Sequence, residues 1–118
     1  MADDALFVGF GQVVRGRERQ SAQVFEETLR YYGELQSRGE IESFDAVFLE
    51  PHGGDLGGFF LLRGEREKLD RVRASDEFVR FWARAALVVD SVGFVSAFTG
   101  DKLGSLMGTW MEQVGELT

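Results

Sequence analysis

The sequence predicts an α+β fold, a four-stranded antiparallel sheet with two helical regions against one face and an extra helix at the C-terminal end. Three observations carry this. Four short segments are rich in β-branched and aromatic residues, and two longer stretches between them repeat apolar residues at helical spacing. Their order is strand, helix, strand, strand, helix, strand, with a last helical stripe beyond.

Ala5 to Val14 ("ALFVGFGQVV") is short and β-rich, with apolar residues in both alternation sets, and reads as a strand buried on both faces. From Glu18 to Arg38 the spacing turns helical: Ala22, Phe25, Leu29 and Tyr32 form a stripe that Val24, Tyr31 and Leu35 widen, and Gly39 supplies a left-handed stop. Ile41 to Glu50 is the second strand and Gly58 to Arg63 the third, joined by a hairpin loop that holds the only histidine and the only proline. The stretch 65–86 is the second helical region, with Leu69, Val72, Phe78, Phe81 and Trp82 apolar and Ser75 suited to cap a restart before Asp76 and Glu77. Leu87 to Thr99 is the fourth strand. Asp101 to Leu117 sets Leu103, Met107, Trp110, Val114 and Leu117 at steps of four and three; Gly104, Gly108 and Gly115 weaken this helix, so it should depend on docking.

With 118 residues, 44% of them hydrophobic, the chain suits one domain over 1–118. A net charge of −7 argues against nucleic acid and anionic membranes as partners, since both need a basic face. No cysteine means no disulfide, thiolate metal site or cysteine nucleophile, and fits a reducing cytoplasm. The opening "MADDALFVGF" is acidic where a leader would be basic, and no apolar run reaches the roughly 20 residues that span a bilayer.

The order βαββαβ is that of ferredoxin-like folds, in which helices cover one sheet face. The other face here is not polar: Phe7 and Val13 alternate with Leu6, Val8 and Phe10, and Phe59 and Leu61 with Phe60 and Leu62. A second copy packed sheet to sheet would cover it and protect the edges. Over Leu6 to Thr99, element order and two-sided strands resemble the dimeric α/β-barrel superfamily, whose families include antibiotic-biosynthesis monooxygenases, YCII-like proteins and haem-binding chlorite-dismutase relatives. The resemblance implies a homodimer with a pocket between sheet and helices or inside the barrel. The relatives' mechanisms lack matching residues. YCII-like proteins use a His and Asp pair near the first strand, where Leu6 to Val14 has neither histidine nor acid. Haem binders use a helical histidine, and some cofactor-free monooxygenases use asparagine, which this chain lacks.

If the strands alternate in direction, the loop holding Glu50, His52 and Asp55 shares one end of the sheet with the "RGRER" turn and Asp90. His52 is the side chain suited to proton transfer near neutrality, with Asp55 to orient it; a solvent-facing turn shaped by Pro51 and its glycines is the competing account. Arg15 and Arg17 beside a helix start could hold an anion, or form a solvated turn partly neutralised by Glu18. Gly9 and Gly11 share one face of the first strand and leave a notch, which with Phe10, Tyr32 and Trp82 as walls would take a flat apolar ligand; tight packing is the alternative. One histidine with Glu50 and Asp55 has no metal-binding spacing, and neither a metal nor a cofactor is expected. Two readings follow: a small homodimer binding an apolar or aromatic molecule, with proton transfer or cofactor-free oxidation at His52 and Asp55; or a non-catalytic module that senses a ligand or contacts a protein.

Overall fold

The computed structural model describes residues 4–118, so Met1, Ala2 and Asp3 of the acidic opening stretch lie outside the described residues. The elements are β1 (Asp4–Phe10), α1 (Glu18–Ser37), β2 (Ser43–Phe48), β3 (Gly58–Gly64), α2 (Arg66–Ala74), α3 (Asp76–Ala86), β4 (Gly93–Phe98) and α4 (Gly100–Leu117). The sheet order is β2-β3-β1-β4 with every neighbouring pair antiparallel, which is the ferredoxin-like arrangement.

Register assigns the faces. Val8 stands opposite Phe60 and Phe94, and Leu6 opposite Leu62 and Ser96, so these side chains share a face. That face meets Tyr32 and Leu35 of α1, Leu69 and Val72 of α2, and Phe78 of α3 in one buried cluster. Gly39, at φ +74°, ends α1 in the left-handed conformation its position required. The second helical region breaks into two helices at Ser75, whose hydroxyl accepts from the Phe78 backbone N–H at 3.2 Å. Ion pairs tie the layers together: Arg84 to Glu27 at 2.6 Å joins α3 to α1, and Arg66 to Asp4 at 2.9 Å joins α2 to β1.

Three strands are shorter than the sequence suggests, because the chain leaves the ladder without leaving the sheet's end. β1 stops at Phe10, and residues 11–14 then pair with 88–90: Gly11 N–H donates to Asp90 O at 2.8 Å, Asp90 N–H to Gln12 O at 2.9 Å, and Val14 N–H to Val88 O at 2.9 Å. Leu87 to Val92 is accordingly not part of β4; Val88 and Val89 are buried against Val24 in a second small cluster. β2 is bounded by Ile41, buried in the core, and by Leu49, whose N–H donates to Gly57 O at 2.9 Å.

The opposite face carries Phe7 and Phe59, stacked with ring centroids 5.1 Å apart, together with Leu61, Val47 and Val95, the last 57% exposed. Every residue of α4 is exposed, Trp110 by 59%. The radius of gyration is 16.3 Å, against about 13.5 Å for a compact chain of this length.

Candidate functional site

The ends of β1 and β2 and the starts of β3 and β4 bring three segments to one end of the sheet: residues 11–17, the loop 49–57 and the segment before β4. Behind them, between the helix-bearing sheet face and α1 and α3, lies a cavity of about 780 Å³. Its sheet wall is aromatic. Phe10 lies within 5.8 to 6.4 Å of the rings of Phe25, Phe48 and Phe60, and Phe25 stacks on Phe48 at 4.8 Å. The α3 side contributes Phe78, Phe81, Trp82 and Ala85. Ser21, Ala22 and Ala85, small residues on surfaces that otherwise carry bulky ones, also line it, and their size leaves this volume open.

At the inner end is Tyr32, 2% exposed, whose ring meets Phe60 edge-on at 5.1 Å. No described residue gives its hydroxyl a hydrogen bond, yet this oxygen is not sealed in the core as the Tyr31 hydroxyl is; Tyr32 lines the cavity. Burial pushes its phenol well above the ordinary tyrosine range, so it stays protonated.

At the mouth, Glu18, Glu26, Glu50 and His52 line the cavity. His52 is braced inside its own loop. Its Nε2 lies 2.7 Å from the Leu56 carbonyl oxygen, and the Gly54 N–H donates to Nδ1 at 3.2 Å. With Nδ1 accepting, Nε2 carries the proton and donates to Leu56. Both nitrogens are therefore occupied, and Asp55 does not orient the ring as the sequence suggests. Asp55 is exposed and outside the lining; its carbonyl instead packs on Gly11. Arg15 and Arg17 are exposed and also outside the lining. The Glu18 carboxylate, in the first turn of α1, accepts from the Gly16 N–H at 3.1 Å and sets a negative charge at the helix start.

The notch expected at Gly9 and Gly11 is filled. A Cβ on Gly9 would meet the Phe7 ring at 2.7 Å, and one on Gly11 would collide with the Asp90 carboxylate, which accepts from the Gln12 N–H at 2.7 Å. These glycines permit close packing, and only their backbone reaches the cavity wall. Of the residues singled out from sequence, Glu50, His52, Gly9, Gly11, Phe10, Tyr32 and Trp82 are brought together around it. Phe25, Phe48 and Glu26 were not foreseen as lining. Phe25 read as core in a helical stripe, and Phe48, 69% exposed, read as a strand residue; only the small side chains beside them signal a void. Among the described residues, no three potential metal ligands gather anywhere, and no helix is long and apolar enough to cross a membrane.

No family model matches the chain. No curated protein matches it either. Solved structures do share its fold. A hydroxynitrile lyase from Passiflora edulis is 11% identical, with a TM-score of 0.63 over 85% of this chain and 96% of that one. A dimeric protein of unknown function and ferredoxin-like fold from Bacteroides fragilis is 9% identical, with a TM-score of 0.59 over 80% and 95%. SnoaB, a cofactor-independent oxygenase from Streptomyces nogalater, is 15% identical, with a TM-score of 0.54 over 84% and 95%.

Proposed function

We propose that this chain is a homodimeric, cytoplasmic small-molecule-binding protein whose cavity between sheet and helices takes a flat apolar or aromatic ligand. The observation that carries the reading is the aromatic-walled cavity of about 780 Å³, a size that suits a small organic molecule. Binding without catalysis is favoured over proton transfer at His52, because both imidazole nitrogens are engaged within the loop and Asp55 does not pair with the ring.

The dimer is supported by surface left uncovered. The chain exposes 7740 Å², whereas a compact monomer of its mass exposes about 6,400 Å². The excess is larger than the roughly 800 Å² per partner of an ordinary stable interface. Exposed apolar side chains stand on the Phe7–Phe59 face, Val95 among them, and on α4, where Leu103, Met107, Trp110 and Val114 form an exposed stripe. The dimeric ferredoxin-like neighbour supports the same reading.

Titration with the neutral, environment-sensitive dye N-phenyl-naphthylamine tests the cavity. Saturable enhancement of its fluorescence is expected, lost in Ala22→Trp and in Ala85→Trp, each of which puts an indole into the space, while the melting temperature holds. No saturable binding, or binding indifferent to both blocking substitutions, contradicts the reading.

A further inference from the structure

We propose that the ligand is an aromatic ammonium compound, its ring inside the cavity and its cationic end among Glu18, Glu26 and Glu50 at the mouth. This rests on the cavity being a binding site and names the chemistry it selects.

Charge and walls point the same way. Glu18, Glu26 and Glu50 line the cavity, and among the described residues no lysine or arginine does. Arg15, Arg17 and Arg19, the cations nearest Glu18 in sequence, lie outside the lining. Glu18, in the first turn of α1, sets a negative charge at the helix start, which would otherwise attract an anion. Aromatic faces reinforce this preference, because the negative face of each ring attracts a cation, and Phe25 and Phe48 stand together in the wall. A net charge of −7 adds a long-range field of the same sign.

An independent observation lies at the inner end. Tyr32 is nearly fully buried and lines the cavity, and no described residue hydrogen-bonds its hydroxyl. A buried hydroxyl of this kind is satisfied by water or by a ligand atom. Since the phenol stays protonated, its proton is available to an acceptor on the ring system, such as an aromatic nitrogen, ether or carbonyl. The ligand is then a molecule with two functions: an ammonium group for the glutamates and a hydrogen-bond acceptor for Tyr32.

The test compares naphthylethylammonium, naphthylethanol and naphthylpropionate, which share a ring and differ in terminal charge, by calorimetric titration of the whole chain. At low salt the ammonium should bind about tenfold more tightly than the alcohol, and the carboxylate most weakly. Glu26→Gln with Glu50→Gln should bring ammonium and alcohol together, Glu18 being left in place to hold its turn. Should that variant fail to fold, the wild-type chain in about 0.5 M salt should show the same convergence through screening. Equal binding of ammonium and alcohol, or tightest binding of the carboxylate, overturns the ammonium assignment and leaves the cavity reading standing. Binding of none of the three overturns both.

Discussion

The Nε2 atom of His52 lies 2.7 Å from the carbonyl oxygen of Leu56, a bond that holds the loop 49–57 in the shape that forms part of the cavity mouth. With Gly54 donating to Nδ1, the ring acts as a brace across its own turn. His52→Ala should therefore loosen the loop by about 1 kcal/mol, the usual net worth of such bonds, and speed hydrogen exchange at the Gly54 amide. Probe affinity should fall no more than severalfold. A substitution that left Gly54 exchange unchanged and abolished a turnover with bell-shaped pH dependence would return His52 to a catalytic role.

Gly11 and Asp90 share one small space. Gly11→Ala drives a methyl into the Asp90 carboxylate and against the carbonyl oxygens of Asp55 and Asp90, each 3.0 Å from the added carbon. Two of the three obstacles are backbone, so the clash is not relieved by a rotamer change. A loss of about 2 kcal/mol is expected in chemical denaturation, recovered only in part when Asp90→Ala is added. Gly33→Ala, where an added Cβ meets nothing within 4 Å, should be neutral or stabilising.

Acid should weaken the α1–α3 contact. Hydrogen bonds from Gln23 and then Arg84 hold the Glu27 carboxyl below the usual glutamate range. A group with a lowered folded-state value binds fewer protons when folded, so its contribution is complete above the ordinary glutamate value and fades as pH falls through the lowered one. Glu27→Gln should narrow the gap between melting temperatures at neutral and acidic pH. A gap unchanged by the substitution removes Glu27 as a source of acid sensitivity.

Trp110 stands 59% exposed in the middle of the α4 stripe. If α4 docks on a second copy, Trp110→Ala removes a large aromatic anchor and should weaken dimerisation by tenfold or more in sedimentation equilibrium. A wild-type chain that sediments as a monomer, or a dimer indifferent to the change, contradicts that docking.

Element order was legible because each element announces its own period: Leu29 and Tyr32 at helical spacing, and Phe59 to Leu62 as a short run after a glycine-rich loop. Ser75 and Gly39 were legible as cap and stop because their roles are local. The ends of β1 and β4 were not, since Gly11 to Val14 and Val88 to Asp90 leave the ladder by pairing with each other across more than seventy residues of sequence. The end of the sheet that gathers Glu50 and His52 followed from strand alternation. The state of His52 did not, because its partners Gly54 and Leu56 are backbone atoms that no pattern of side chains reveals. Gly9 and Gly11 suggested empty space where Phe7 and Asp90 fill it. The true void comes from small residues on helices, with Ala22 and Ala85 facing Phe10 and Phe25 around one cavity.

The proposed ligand site is on the helix-bearing side of the sheet. Isotope-filtered NOE spectroscopy of the labelled chain with bound N-phenyl-naphthylamine tests this most directly. Cross-peaks are expected from the dye to the rings of Phe25, Phe60, Tyr32 and Trp82, all of which line the cavity. Cross-peaks to Phe7 and Phe59, stacked on the opposite face, with none to Tyr32, would contradict it.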